Sequence, residues 1–307
     1  MPQGDVVFVV NPASANGSTG RRWAEIAHRA ARAGLEGEAL ISTRPGEVTD
    51  LTARAVAAGA RLVVAVGGDG TVFEAVNGLL REGPSPEVEL AIVPRGTGTD
   101  FVRTFGIPSD LDRALALARD GAIRTIDAGK ATYVAWDGSP AEAFFSNFGG
   151  AGISGAIARR ANATSKAMGG RLSFMWATLA VFAGWKSTEL TVRADEEERA
   201  GRMFEVLATI GEYAAGGMRV TPDAAPDDGL FDVLLIGDVT KADFVRTFPK
   251  IYRGRHVSHP KIDVLRAATV TIEAAEPLPV ALDGEQPGTT PVTFEIVPQA
   301  LRLRVPT

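Results

Sequence analysis

Residues Gly67-Gly68-Asp69-Gly70-Thr71 place a carboxylate inside a glycine turn, directly after the apolar run Val63 to Val66. Glycines permit positive φ and let a ligand approach bare backbone. Val72, Ala75, Val76, Leu79 and Leu80 follow at helical spacing, and the free amides at the start of that helix favour an anion. Asp69 would repel a phosphate unless a cation stood between them, so Mg²⁺ with a nucleotide is the economical reading. The plainer alternative is a tight strand-helix turn with Asp69 as the helix N-cap. Two more small, polar loops follow apolar runs. Asn11-Pro12-Ala13-Ser14 opens one that continues to Gly20 after Val6 to Val10, and Pro94-Arg95-Gly96-Thr97-Gly98-Thr99-Asp100-Phe101 forms the other after Leu90 to Val93.

The elements that must position these loops alternate between apolar strands and amphipathic helices. Helices are predicted over 21–33, 47–58 and 111–118, with strands near 37–41 and 123–128. Right-handed crossovers bring the C-terminal ends of parallel strands to one edge, which gathers the three loops there. Arg21 and Arg22 at the start of the first helix oppose its dipole, which predicts either an acidic neighbour or plain solvation. Beyond residue 128 the pattern changes to strand-like runs without intervening helices, at 131–136, 143–148, 190–193, 205–210, 230–236, 269–274 and 292–297. The fold class expected is α/β: an N-terminal nucleotide-binding domain with a parallel sheet over 1–128, then a C-terminal β-rich, sandwich-like domain over 129–290, with 291–307 packing back on the first. Helical stretches interrupt the second half at 153–161 and 171–185. The latter is too short to span a bilayer, and it reads either as a buried helix at the domain junction or as an interfacial one flanked by Lys166, Arg171 and Lys186.

Composition sets the outer limits. With 307 residues, 45% apolar and 22% charged, the chain is long enough for two ordinary globular domains. It has no cysteine, which excludes disulfides, thiolate metal sites and thiol catalysis and fits a reducing cytoplasm. The N-terminal residues carry no signal-peptide pattern. A net charge of −5 argues against broad nucleic-acid binding. His256 and His259 lack the further ligands a metal needs, so Arg253, Arg255 and His256 read instead as a surface patch for acidic headgroups or a homodimer partner. Asp283-Gly284 is a hairpin-turn signal that also presents acids between two strands, and Asp227-Asp228-Gly229 is either an Asx turn or a seat for a hard cation.

Together these stretches resemble the successive motifs of the diacylglycerol kinase catalytic family, particularly its soluble bacterial lipid-kinase branch, which is related to the NAD kinases. The motifs are Asn11-Pro12-Ala13-Ser14, Gly67 to Thr71, Gly96 to Phe101 with Arg103, Pro222 to Leu230, and Asp283-Gly284-Glu285. The resemblance implies an ATP-dependent kinase for a lipid hydroxyl, with a nucleotide domain and a β-rich domain enclosing the cleft. It implies nucleotide contacts at Asn11, Pro12, Ala13, Ser14, Thr43, Gly68, Asp69, Gly70, Thr71, Val72, Phe73, Glu74 and Thr97. It puts Asp69 and Asp100 near catalytic Mg²⁺ and phosphate, a structural Mg²⁺ at Asp228 with the carbonyls of Ala225 and Leu230, and the general base at Glu285. The partners implied are ATP, a lipid substrate and a transient membrane surface, with a cytoplasmic location, peripheral to the inner face of the membrane. An apolar wall from Phe144, Phe145, Phe148 and the 171–185 helix is expected for a lipid acceptor, and a polar wall for a small soluble alcohol or nucleotide. Thr99 and Phe73 stand where the family usually has Asn, and Ala15 where it has Gly. Those departures keep a nucleotide-binding regulator with weak turnover as a further alternative.

Overall fold

The computed structural model describes residues 5–85, 87–96, 100–157, 159, 181–182 and 184–307. The chain divides into two compact units, Met1–Asp127 with Pro298–Thr307, and Ala128–Val297.

In the first unit, strands β1 (Val6–Val10), β2 (Glu38–Ile41), β3 (Leu62–Gly67) and β4 (Glu89–Pro94) pair in the order β2-β1-β3-β4, each contact parallel. Every residue of β1 and β3 is buried. Such unbroken Val-rich runs are what strands covered on both faces require. The helices that accompany them are α1 (Ser18–Arg21), α2 (Trp23–Arg32), α3 (Glu47–Ala57), α4 (Asp69–Leu79), α5 (Asp100–Thr104) and α6 (Leu111–Asp120). The helix expected over 21–33 is broken at Arg22, and the acid that Arg22 meets is Glu25, 2.8 Å away within the same helix. One hydrophobic core joins Phe8, Val10, Val64, Val66, Val93 and Leu115.

The chain leaves this unit within β5 (Ala122–Ala135) and returns within β16 (Glu285–Val305), whose Arg302 and Leu303 pair parallel with Glu89 and Leu90 of β4. The return begins at Pro298 rather than near 291. Buried Asp127 accepts a hydrogen bond from the Gln299 N–H at 2.8 Å, holding that residue in its left-handed turn.

The second unit is β-rich and antiparallel. Its strands are β6 (Pro140–Phe145), β7 (Phe148–Gly152), β8 (Thr188–Ala194), β9 (Glu197–Thr209), the short pair β10 (Tyr213–Ala214) and β11 (Met218–Arg219), β12 (Phe231–Gly237), β13 (Ile262–Ala267), β14 (Thr269–Ala274) and β15 (Pro279–Leu282), and its described residues include the surface helix α7 (Lys241–Ile251). β9 is central, pairing with β7, β8 and β12. The run expected over 143–148 is split between β6 and β7, because Ser146 and Asn147 turn there to bind a side chain described below. Phe145 stacks on Phe231 at 5.7 Å and meets Phe294 edge-on at 5.5 Å, fully buried, so it belongs to the core and not to an acceptor wall. Gly129 makes room for it: a Cβ there would lie 2.1 Å from the Phe145 ring. Thr97, Thr99, Lys166 and residues 171–180 of the expected apolar helix lie outside the described residues.

Candidate active site

The loops after β1, β3 and β4 meet at the C-terminal ends of adjacent parallel strands. The Asn11 side-chain amide donates to Thr71 Oγ1 at 3.1 Å, and the Asn11 and Arg95 N–H groups donate to Val66 and Gly67 carbonyls at 3.1 and 2.6 Å. Asn11 also organises its own loop, accepting from the Ala13 N–H at 3.1 Å and, through its carbonyl, from Ser14 Oγ at 2.9 Å. Ala15, Asn16 and Gly17 follow in left-handed backbone, with φ of 51, 54 and 76°. Ala15 therefore occupies a conformation that favours glycine, at a cost of roughly 1–2 kcal/mol.

The glycines of the central turn serve close approach. A Cβ on Gly67 would lie 2.1 Å from Thr71 Oγ1, and one on Gly68 would lie 3.4 Å from the Gly96 Cα. Gly68, at φ −100°, is extended, so positive φ is not what this residue supplies. Asp69 is the first residue of α4; Gly68 holds the N-cap position, and no side chain caps the helix. Asp69 Oδ2 instead faces the Asp100 N–H at 3.5 Å, at the long limit of a hydrogen bond, and Asp100 is buried at the start of α5. The Asp100 backbone and the Asp69 carboxylate are thus brought together from positions 31 residues apart in sequence.

The other nucleotide-side residues divide by what they touch. Thr71 and Val72 are buried, and Val72 packs its side chain inward, leaving only its backbone for a ligand. Glu74 commits both carboxylate oxygens to the start of α3, accepting from the Gly46 and Val48 N–H groups at 3.1 and 3.0 Å, and burial raises its pKa. Thr43 Oγ1 donates to Glu47 at 2.8 Å. Phe73 is half-buried, with its carbonyl taken by the Asn77 side chain at 2.8 Å. Arg95, in the loop after β4, has no role that its residue type and spacing assign. Its guanidinium reaches Ser18 Oγ at 3.4 Å, and its buried Nε has no partner among the described residues. Its place in a strand-end loop was the available signal.

In the second unit, Asp283 and Gly284, both at positive φ (49 and 93°), form a two-residue hairpin between β15 and β16, as Asp-Gly requires for this turn. The Asp283 carboxylate accepts from the Ser146, Asn147 and Phe148 N–H groups at 2.8, 3.0 and 2.8 Å. Burial nevertheless pushes its pKa up to about 6. Glu285 is exposed at the hairpin end. Asp228 closes an Asx turn by accepting from the Leu230 N–H at 3.1 Å, while its other oxygen is held by Arg266. His256 is buried with Nε2 2.9 Å from the Val220 carbonyl, so the expected surface patch loses its histidine.

These residues can be tested for fit to Mg²⁺. No cluster of three or more His, Asp or Glu side chains able to hold a metal occurs among the described residues. A nucleotide-bound Mg²⁺ asks for less, one or two carboxylates completed by phosphate and water, and Asp69, beside the Asp100 N–H at the strand-end loops, is one carboxylate of the right kind. Asp228 offers the right hard oxygens, but Arg266 competes for one of them.

Residues 5–131 match the diacylglycerol kinase catalytic domain, and residues 149–305 match the YegS C-terminal NAD kinase beta sandwich-like domain. The model that covers more than half of the chain places it in the family of the YegS C-terminal NAD kinase beta sandwich-like domain. The catalytic-domain match over its first part is that of a phosphotransferase. Curated relatives named diacylglycerol kinase include one from Bacillus subtilis, 28% identical over 94% of this chain and 91% of that protein, and one from Mycobacterium tuberculosis, 28% identical over 99% and 96%. In fold, the chain is similar to a diacylglycerol kinase structure from Bacillus anthracis, with TM-score 0.73 at 23% identity over 99% and 98% of the two chains. It is more distantly similar to yeast NADH kinase, with TM-score 0.55 at 11% identity over 99% and 83%.

Proposed function

We propose that the protein transfers the γ-phosphoryl group of ATP to a hydroxyl of diacylglycerol or a related lipid, in transient contact with a membrane surface. The reading rests on Asp69 beside Asp100, among strand-end loops, in a chain whose residues 5–131 match the diacylglycerol kinase catalytic domain. Phosphoryl transfer needs positioning and charge neutralisation more than covalent help. Backbone amides of the turn and the α4 N-terminus would orient the nucleotide phosphates, with Asn11 and Thr71 fixing the loops to one another. Asp69 and Asp100 would hold Mg²⁺, which when bound neutralises phosphate charge. Glu285 would accept the lipid hydroxyl proton as the new O–P bond forms and the bond to the ADP oxygen breaks. A structural Mg²⁺ at Asp228, with the carbonyls of Ala225 and Leu230, belongs to the same reading, in competition with Arg266.

Radiolabelled ATP incubated with vesicles carrying diacylglycerol, monoacylglycerol, a sphingoid base or phosphatidylglycerol, and the products separated by chromatography, tests this directly. One labelled lipid is expected, with turnover reduced at least 10²-fold in Asp69→Ala. A chain that labels only soluble alcohols or nucleotides would favour the second reading, an NAD kinase-like acceptor, which the similarity in fold to yeast NADH kinase supports. Full turnover in Asp69→Ala would remove its carboxylate from the reaction.

A further inference from the structure

Helix α7 lies on the second unit with none of its residues buried. Its Thr240 cap and the Asp243 capping box hold the N-terminus, so it is well formed despite that exposure. One stripe packs on the unit: Phe244 stacks on Phe182 at 4.0 Å, lies 5.5 Å from Phe204, and continues through Phe248 at 5.0 Å. A helix that only covered a core would turn polar residues to solvent beyond that stripe. Here the next residues around the helix are Val245, Pro249 and Tyr252, at i, i+4 and i+7, with Val245 63% and Tyr252 50% exposed. The apolar surface therefore wraps from the packed stripe onto the solvent side.

Cations border it. Arg246 and Lys250 are exposed on the helix, and exposed Arg253 and Arg255 follow in the next turn. The helix's one carboxylate, Asp243, is turned inward to the Thr240 N–H at 3.0 Å and Lys261 Nζ at 3.3 Å. In a chain of net charge −5 this is a local reversal of sign. An apolar strip with an aromatic end and flanking cations is the composition of a helix that lies in a membrane interface.

We propose that α7 docks the protein on an anionic bilayer, with Val245, Pro249 and Tyr252 entering the headgroup boundary and Arg246, Lys250 and Arg253 meeting lipid phosphates. The choice of a bilayer as partner rests on the lipid-kinase reading, because the acceptor resides there. A second copy of the chain would bring the same cations to the same place and be repelled.

Co-sedimentation of the full chain, without nucleotide, with phosphatidylcholine vesicles and with vesicles about one-third phosphatidylglycerol tests the surface. Wild type is expected to bind the anionic vesicles preferentially. Removing two cations in Arg246→Gln/Lys250→Gln should weaken binding about 25-fold, at about fivefold per cation, and flatten its salt dependence. Val245→Asp/Tyr252→Ser should weaken it at least tenfold, while both variants phosphorylate dispersed short-chain diacylglycerol at the wild-type rate. Equal partitioning of wild type between the two vesicle types, or wild-type binding by both variants, would overturn the proposal. Docking through α7 by a protein that phosphorylates no lipid would leave the surface assigned and refute the kinase reading; lipid phosphorylation without docking would do the reverse.

Discussion

Asp283 and Glu285 stand two residues apart with opposite surroundings. Asp283 gathers three backbone N–H groups and fixes the hairpin, whereas Glu285 is exposed at its end. Glu285→Gln should keep the melting temperature and ATP affinity while lowering kcat by about 10²–10⁴, the usual worth of a general base. Asp283→Asn should lower the melting temperature, since an amide brings N–H groups of its own to a site built of donors, and should lower kcat only by misplacing Glu285. Normal turnover in Glu285→Gln beside a folded, inactive Asp283→Asn would assign the base to the wrong carboxylate. Glu205 is another buried acid, accepting from the Ser154 N–H and Oγ at 2.6 and 2.7 Å, and burial pushes its pKa from the ordinary 4.5 up to about 7. The native state then holds a proton that the unfolded chain has released, so this contribution is complete below pH 4.5 and is lost as pH rises to about 7, with an amplitude of about 3 kcal/mol. Urea unfolding of Glu205→Gln should lose most of that fall, keeping the smaller one from Asp283 that ends near pH 6. A variant whose stability declines with pH as steeply as wild type would show that Glu205 titrates normally. Of these residues, the glycine turn and Asp-Gly-Glu could be read in sequence because their chemistry is local. Glu205 could not, since its partner is brought to it by strand pairing.

At the scale of elements, local spacing located the strands that are apolar throughout and the helices with a clean stripe. It missed β7, β13 and β15, whose edges are set by partners far along the chain: β7 lies between β9 and β15, with glycines at Gly149 and Gly150 that carry no hydrophobic signal. Glu74 shows the same limit, because its capping of α3 links elements whose sequence numbers differ by 28. The Asp228 turn is where an element's partner changes the expectation. β13 delivers Arg266 to the Asp228 carboxylate, and burial, with Asp228 and Asp223 near it, raises the pKa of neighbouring Asp232 despite Arg266. If Mg²⁺ binds Asp228 it must share that oxygen with a guanidinium. Mg²⁺ should then raise the melting temperature of wild type only slightly, not at all in Asp228→Asn, and most in Arg266→Met, where the competitor is gone, because a ligand of the native state stabilises by mass action. Identical Mg²⁺ responses in all three proteins would remove the ion from this turn.

The whole molecule is built so that its first unit is completed by its last residues. The last strand legible in the sequence, at 292–297, stops short of the residues that pair, and the partner strand was not legible, because any exposed parallel edge would accept it equally. That partner is β4. Pro298–Thr307 supply Leu301 and Leu303, 3% and 0% exposed, while Arg304 and Arg302 ion-pair with Glu89 at the start of β4. Burying two leucines is worth about 3–6 kcal/mol, a large share of the roughly 5–15 kcal/mol by which a domain is stable. Asp127 adds a buried carboxylate that would lose its Gln299 partner. A chain ended after Val297 should therefore lose ATP binding and show a lowered, broadened melting transition, even though every residue proposed to contact nucleotide is still present. Arg304→Ala, which keeps both leucines, should lower the melting temperature by only a few degrees and leave ATP affinity unchanged. If the truncated chain bound ATP and melted like wild type, the nucleotide-side loops would need only the strands that precede residue 128, and the closing strand would be an ornament of the first unit.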